Sequence, residues 1–425
     1  MTRKTFTCPG WKRHALAFTL AWQVIGQAAY AEDDARPPVT LQAAIALATQ
    51  THPSIEASRL GIAQAQAATR EAWSGFKPRV SLAGGVQHGV STGAARPQLQ
   101  LNAVQPLYDG NQTLLAVRQA ELSEASAGLD RIAVRRRIAY ETARAYFAVL
   151  QAESLREAAR HNVEQAKEQL SLAELRAQGQ VGTRMEVLQA AGAIATAQDG
   201  YLQAVNQVRQ TRETLESFLG HPLGDAALNR MSALKHVAYD PEQVARALDA
   251  RPDVGQAILA REVQDVAVAQ RSRLTWPTLS AVGDLATAED GTRQTVSASL
   301  SWPFLDGERT AAQVEQARLG IARAEATLAA VRREATLEIR LAAETLHLSQ
   351  ERVKVAQEGL QAATEGLVLA KVRFARGVGT GLEVINALSM LSQAQSAYIQ
   401  GTFAVQTSQL RLAQALGIDA EDLIP

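Results

Sequence analysis

"RFARGVGTGLEV" (Arg373–Val384) carries glycines at alternate positions, Gly377, Gly379 and Gly381, and a counterpart, "RAQGQVGTRMEV" (Arg176–Val187), stands 197 residues earlier. Glycine-rich turns ahead of helices can cradle phosphates, but the dinucleotide pattern needs G-x-G-x-x-G directly after a strand. Here each stretch instead closes a long segment of helical periodicity. Glycine adopts positive φ cheaply and exposes backbone groups, so the pair reads as two matched reversals between antiparallel helices. Thr183 and Thr380 are placed to cap the helices that follow.

The correspondence runs along the whole chain. "HPSIEA" (His52–Ala57) answers "RPDVGQ" (Arg251–Gln256), "FKPRVSLAGGV" (Phe76–Val86) answers "TWPTLSAVGDL" (Thr275–Leu285), and "QPLYDG" (Gln105–Gly110) answers "WPFLDG" (Trp302–Gly307). The spacing is 199 from Pro53 to Pro252 and from Pro78 to Pro277, but 197 from Pro106 to Pro303, Gly182 to Gly379 and Gly220 to Gly417. The length change therefore lies between Pro78 and Pro106, where a hairpin tip tolerates it.

Within each half the hydrophobic period switches. "TVSASLSW" (Thr295–Trp302) sets Val296, Ala298, Leu300 and Trp302 on one face and Thr295, Ser297, Ser299 and Ser301 on the other, and "QLQLNA" (Gln98–Ala103) alternates likewise. After "YDG" and "LDG" the period becomes helical for about 68 residues without proline. Leu346, Val353, Leu360, Leu367 and Phe374 fall seven apart, a coiled-coil seam. Such a helix is about 100 Å long, several times the width of a compact domain.

The chain is therefore expected to be mostly α, with a membrane β part, written as a tandem repeat. Residues 1–31 form a signal peptide: a basic start, an apolar run from Ala15 to Gly26, and "AYA" (Ala29–Ala31) before the cleavage point. The first repeat spans 32–224, with a β-hairpin at about 76–108, a long helix at about 111–178, a tip at 179–183 and a return helix. The second spans 225–425, with a hairpin at about 275–305, a long helix at about 308–376, a tip at 377–381 and a return helix. One medium helix precedes each hairpin, and with the return helix it matches the long one in length.

Composition narrows the function. The chain has 425 residues, 47% hydrophobic but only 5% aromatic, a balance that suits long helices with small contact residues. Its single cysteine, Cys8, precedes the apolar run, so the exported chain has neither disulfides nor a cysteine nucleophile and carries no lipid on a first-residue cysteine. Without residues 1–31 the formal charge is −4, from 39 basic and 43 acidic residues, which gives nucleic-acid binding no support. No later stretch approaches 18 consecutive apolar residues, so entry into a membrane requires β-structure.

The strands have the length of tilted transmembrane strands, and Tyr108, Trp276, Trp302 and Phe304 stand at their ends, where interface aromatics belong. Four strands cannot close a barrel, and open sheet edges are not tolerated in lipid. Several copies must therefore share one barrel. The alternative is a periplasmic helical interaction or scaffold protein with no channel, which leaves the length of the helices unexplained.

With the tandem repeat, the paired "YDG" and "LDG" junctions and the "VGT" turns at Val181–Thr183 and Val378–Thr380, the chain resembles the TolC family of bacterial outer-membrane efflux proteins. The resemblance covers essentially all of the sequence after the signal peptide. It implies a homotrimer in the Gram-negative outer membrane with a 12-stranded β-barrel, four strands from each copy, and a long α-helical tunnel in the periplasm. Substrate passes from an inner-membrane transporter, of ABC or RND type, through a periplasmic adaptor (membrane fusion protein) into this duct. The route is either type I protein secretion or small-molecule or metal efflux, with no enzymatic chemistry and no cofactor.

The resemblance assigns adaptor docking to Val181, Gly182, Thr183, Val378, Gly379 and Thr380, and a possible periplasmic constriction to Glu186, Glu383 and Asn386. Glu186 and Glu383 read equally well as first-turn carboxylates favoured by the helix dipole. Relatives often carry a second acidic residue three positions on, where Gln189 and Asn386 stand here, so the acidic ring is thinner. "GVSTG" (Gly89–Gly93) matches the nucleophile elbow around Ser91, but a strand rather than a helix follows it. His52, His88, His161, His221, His236 and His347 show no metal-ligand spacing.

Overall fold

The computed structural model describes residues 38–88, 95–224, 226–230, 234–237, 240, 243–288 and 291–424. The signal peptide and the "GVSTG" loop with Ser91 lie outside them. Helices α1 (Leu41–Thr51) and α2 (Pro53–Trp73) lead into strands β1 (Arg79–His88) and β2 (Ala95–Tyr108), then α3 (Gln112–Gln178) and α4 (Arg184–Leu219). The second repeat follows as α5 (Gln243–Asp249), α6 (Pro252–Ser272), β3 (Thr278–Ala288), β4 (Gly291–Ser301), α7 (Arg309–Ala375) and α8 (Gly381–Ala415). The long helices α3 and α7 have 67 residues each and start 197 apart. α2 and α6 have 21 residues each and start 199 apart.

The medium helix expected ahead of each hairpin is in fact two pieces. Pro53 and Pro252 each occupy the first turn of a new helix, where the missing N–H costs nothing, and the residue before each proline is extended. His52 caps α2 by accepting at Nδ1 from the Ser54 N–H at 3.1 Å.

Strand leads to long helix by the same device twice. Gly110 and Asn111, then Gly307 and Glu308, are consecutive left-handed residues that turn the chain back. Asp109 accepts from the Thr113 N–H at 2.7 Å and Asp306 from the Thr310 N–H at 2.9 Å, each supplying an acceptor to the first turn. Gly110 has a second reason to lack a side chain: a Cβ there would stand 3.1 Å from that of Trp276.

The four strands form one antiparallel sheet in the order β1-β2-β3-β4. Its register keeps the two faces chemically distinct from strand to strand. Ser81, Asn102, Asp284 and Thr295 form one cross-strand row, with Asn102 Nδ2 donating to Asp284 at 2.7 Å. The neighbouring row on the other face is Val80, Ala103, Gly283 and Val296. Among the described residues no helix packs on that apolar face, and Val296 is 89% exposed. No helix among the described residues is long and apolar enough to cross a membrane.

The largest core sits at mid-length of the helices. It gathers α1, Ile138–Leu150 of α3, the end of α4, Ile339–Leu346 of α7 and the end of α8. Tyr146 and Phe147 meet edge to face there, with ring centroids 6.2 Å apart. The Tyr146 hydroxyl lies 2.8 Å from the Val39 carbonyl and 2.7 Å from that of Asn229, tying both connecting segments to α3.

Burial pushes the Tyr146 phenol up to about 12 from its ordinary 10.0. The folded chain keeps this proton after the unfolded chain has lost it, so the contribution is complete below pH 10.0 and disappears as pH rises through about 12. For Tyr146→Phe, circular dichroism in detergent should show a shallower loss of helix over that range than the parent chain; an identical alkaline slope would contradict this.

Candidate functional site

The two tips have the same backbone construction. The Val181 and Gly182 N–H groups both donate to the Arg176 carbonyl, at 3.0 and 2.9 Å, and those of Val378 and Gly379 both donate to the Arg373 carbonyl at 3.1 Å. Both long helices thus end by folding two further amides back onto a last-turn carbonyl. A Cβ on Gly182 would stand 3.0 Å from the Ala177 nitrogen, and one on Gly379 3.2 Å from the Phe374 nitrogen. These two glycines are therefore favoured by close approach and not by φ. Gly377 supplies the left-handed residue of the second tip at φ 74°, whereas in the first its twin is Gln180 at φ 59°. Gly381, grouped with the turn glycines in the sequence, is the first residue of α8.

Thr183 and Thr380 cap the return helices as their position suggested, accepting from the Glu186 and Glu383 N–H groups at 3.2 and 3.3 Å. The carboxylates then diverge. Glu186 completes a capping box by accepting from the Thr183 N–H at 3.2 Å, while Glu383 lies 3.5 Å from Arg373 Nε. Asn386, one turn beyond Glu383, is exposed on α8. The apolar tips point outward: Val181 is 71% and Val378 70% exposed.

The two tips of one chain are joined through a pair absent from the sequence reading. Arg176 donates through Nη1 to the Phe374 carbonyl, and its guanidinium carbon lies 4.3 Å from the centre of the Phe374 ring. Phe374 is fully buried with Leu367, Val384 and Leu391. Its place at the end of the seven-residue seam was visible in sequence; its arginine partner, 198 residues away, was not.

Above the tips, the same groove occurs twice. In the first repeat Asn162, Ala166, Ala193, Thr196, Ala197 and Gly200 of α3 and α4 form a trough that α8 covers with Ile385, Leu388, Ser392 and Ser396. Asn162 Nδ2 donates to Ser392 Oγ at 2.7 Å. Moving the trough by 197 residues gives Gly359, Ala363, Met390, Gln393, Ala394 and Ala397 of α7 and α8, which line an open groove. The α4 residues matching the α8 cover, Leu188, Ala191, Ala195 and Asp199, are exposed.

At the other end of the helices Tyr108 closes β2, Trp276 precedes β3, and Trp302 and Phe304 follow β4 with ring centroids 6.1 Å apart. Arg273 stacks on Trp276 at 5.4 Å. Among the described residues no group of three or more histidine, cysteine or acidic side chains could hold a metal ion.

Comparison with known proteins agrees with this architecture. The model of the outer membrane efflux protein family matches residues 44–221 and 244–418. The outer membrane efflux protein BepC of Brucella suis biovar 1 (strain 1330) is 26% identical over 426 residues, covering 95% of this chain and 89% of that protein. Among solved structures, CusC superposes with a TM-score of 0.80 at 16% identity, covering 92% of this chain and 96% of that one. The open-state MtrE outer membrane channel of Neisseria gonorrhoeae gives 0.77 at 17% identity, covering 91% and 90%.

The unequal left-handed residues generate a prediction. A side chain in that conformation costs about 1 kcal/mol, or roughly fivefold in a local opening equilibrium. Gln180→Gly should slow amide hydrogen exchange around the first tip by that factor, and Gly377→Ala should accelerate it around the second. Shifts of the same sign at both tips would overturn this.

Proposed function

The chain belongs to the outer membrane efflux protein family and resides in the outer membrane, and from that premise we propose that three copies close into one continuous export duct. The repeated groove carries this reading. Within a chain, the α3/α4 trough is covered by α8; its twin on α7/α8 is open, and the matching stripe on α4 is bare. Seating α4 of one copy in the α7/α8 groove of the next repeats the internal contact and passes it from copy to copy, a head-to-tail interface that closes as a ring.

The sheet requires the same closure. Pairing β4 of one copy with β1 of the next satisfies both open edges, and three four-stranded sheets give twelve strands. The row containing Val80 and Val296 then faces lipid and the row containing Asn102 and Asp284 faces the water-filled interior. Tyr108, Trp276, Trp302 and Phe304 stand at the helix-side membrane interface. The helices continue as a tunnel into the periplasm.

The tips receive a periplasmic adaptor: Val181 and Val378 offer exposed apolar contact, and Gly182, Thr183, Gly379 and Thr380 hold the backbone in its turn. Glu186, Glu383 and Asn386 lie within two turns of this mouth. With Glu383 beside Arg373, only Glu186 of the two carboxylates has no cation of its own at the mouth, whose preference for cations is weak. The duct has no catalytic step. An inner-membrane transporter of ABC or RND type sets the cargo, a secreted protein or a small molecule or metal.

Gly182→Asp and Gly379→Asp each force a side chain against backbone in an exposed turn. Expected are intact three-copy particles in detergent, adaptor capture at least about tenfold weaker, and lost export. Normal export by both variants would remove adaptor docking from these tips.

A further inference from the structure

Where the sheet gives way to the helices, the last turns of α2 and α6 and the first turns of α3 border an open cleft of about 780 Å³. α3 packs against both other helices and forms the floor. A Cβ on Gly75 would stand 2.8 Å from Thr113 Cγ2, so glycine lets the turn after α2 settle onto α3. On the other side Gln112 Nε2 donates to the Gln270 carbonyl at 2.9 Å and fixes α3 to α6. Both walls are thereby held, and the cleft between them is built within each chain.

Two cations reach it from different elements. Arg271 comes from the last turn of α6 and Arg79 is the first residue of β1. Both are exposed, and among the described residues neither forms an ion pair or a side-chain hydrogen bond. Farther along α3, by contrast, Arg118 lies 3.7 Å from both Glu121 and Glu262. Among the described residues Glu71 of α2 is the one carboxylate lining the cleft, so two guanidinium groups stand against one negative charge. Ser74 adds a hydroxyl.

The register shows on which side the cleft opens. Arg79 stands two residues before Ser81 on β1 and so shares the polar face of the Ser81–Thr295 row. Under the duct reading given above, on which this inference rests, that face is the inner wall. Whatever leaves the helical tunnel for the barrel passes the cleft.

We propose that the cleft binds anionic groups of the exported cargo, carboxylate or phosphate, at the point where tunnel becomes barrel. Guanidinium presents a planar fork of N–H donors that matches either group, and with no protein carboxylate paired to them Arg79 and Arg271 keep that capacity for a passing ligand. A cleft with an excess of one charge focuses its field and raises the local concentration of the opposite ion. Arg79 and Arg271 therefore favour anionic over cationic cargo, and Glu71 weakens the hold.

Citrate block of the current through purified three-copy particles in planar bilayers tests this. Block is measured relative to each variant's own open current, and particle mass is checked for every variant. Citrate should reduce the parent current. Arg79→Gln and Arg271→Gln should each raise the half-blocking citrate concentration about threefold, and Glu71→Gln should lower it by about the same factor. Block by the cation spermidine should shift in the opposite direction in all three. These differences should be plain at about 0.1 M salt and vanish at about 1 M, where the screening length falls from about 10 Å to about 3 Å.

An unchanged half-blocking citrate concentration in either arginine variant would overturn the site while leaving the conducting ring in place. So would a parent current that citrate does not reduce, or spermidine shifts in the same direction as those of citrate. Particles that never conduct would overturn the ring and this inference together.

Discussion

Unpaired backbone groups along the outer edges of β1 and β4 set the terms for the rest of the molecule. A four-stranded sheet with one apolar and one polar face fits neither water nor lipid, and within lipid each unsatisfied N–H or C=O costs several kcal/mol. The proposed closure with other copies would remove both difficulties at once: the apolar row would meet hydrocarbon, the Ser81–Thr295 row would meet water, and no edge would remain. Each long helix leaves its strand through a fixed pair of left-handed residues and an aspartate acceptor, so the helices would follow the geometry of the proposed ring.

The tandem repeat makes such a ring economical. Two similar hairpins in one chain already contain one instance of the contact that must recur between chains, the α3/α4 trough under α8. The two repeats differ at the positions of that contact: Phe374, Ser392 and Lys371 of the second stand where the first has Ala177, Ala195 and Glu174. Gln180, held left-handed where its twin is Gly377, shows that the same turn survives without the residue best suited to it.

Much of this was legible in sequence because it is local. Alternation in "TVSASLSW", the uninterrupted helical period after "YDG" and "LDG", and glycines after both helices each reflect neighbouring residues on one strand, one helix or one turn. The cap roles of Thr183 and Thr380 followed from position alone. What escaped the reading depends on which helix faces meet across about two hundred residues. The Arg176–Phe374 clamp and the mid-length core around Tyr146 are of that kind, whereas Glu383 and Arg373 face each other across a single tip and pair through the geometry of that turn. The split at Pro53 and Pro252 escaped for a different reason: proline at the start of a helix and proline interrupting a longer one look alike until the preceding residue's backbone is seen.

Single-channel recording of the purified chain in planar bilayers addresses the duct most directly. The account predicts discrete conducting steps from particles whose mass equals three chains, with ionic current that persists when no adaptor or transporter is present. Particles of three chains that insert and never conduct would contradict it, and would leave a helical scaffold in place of a channel.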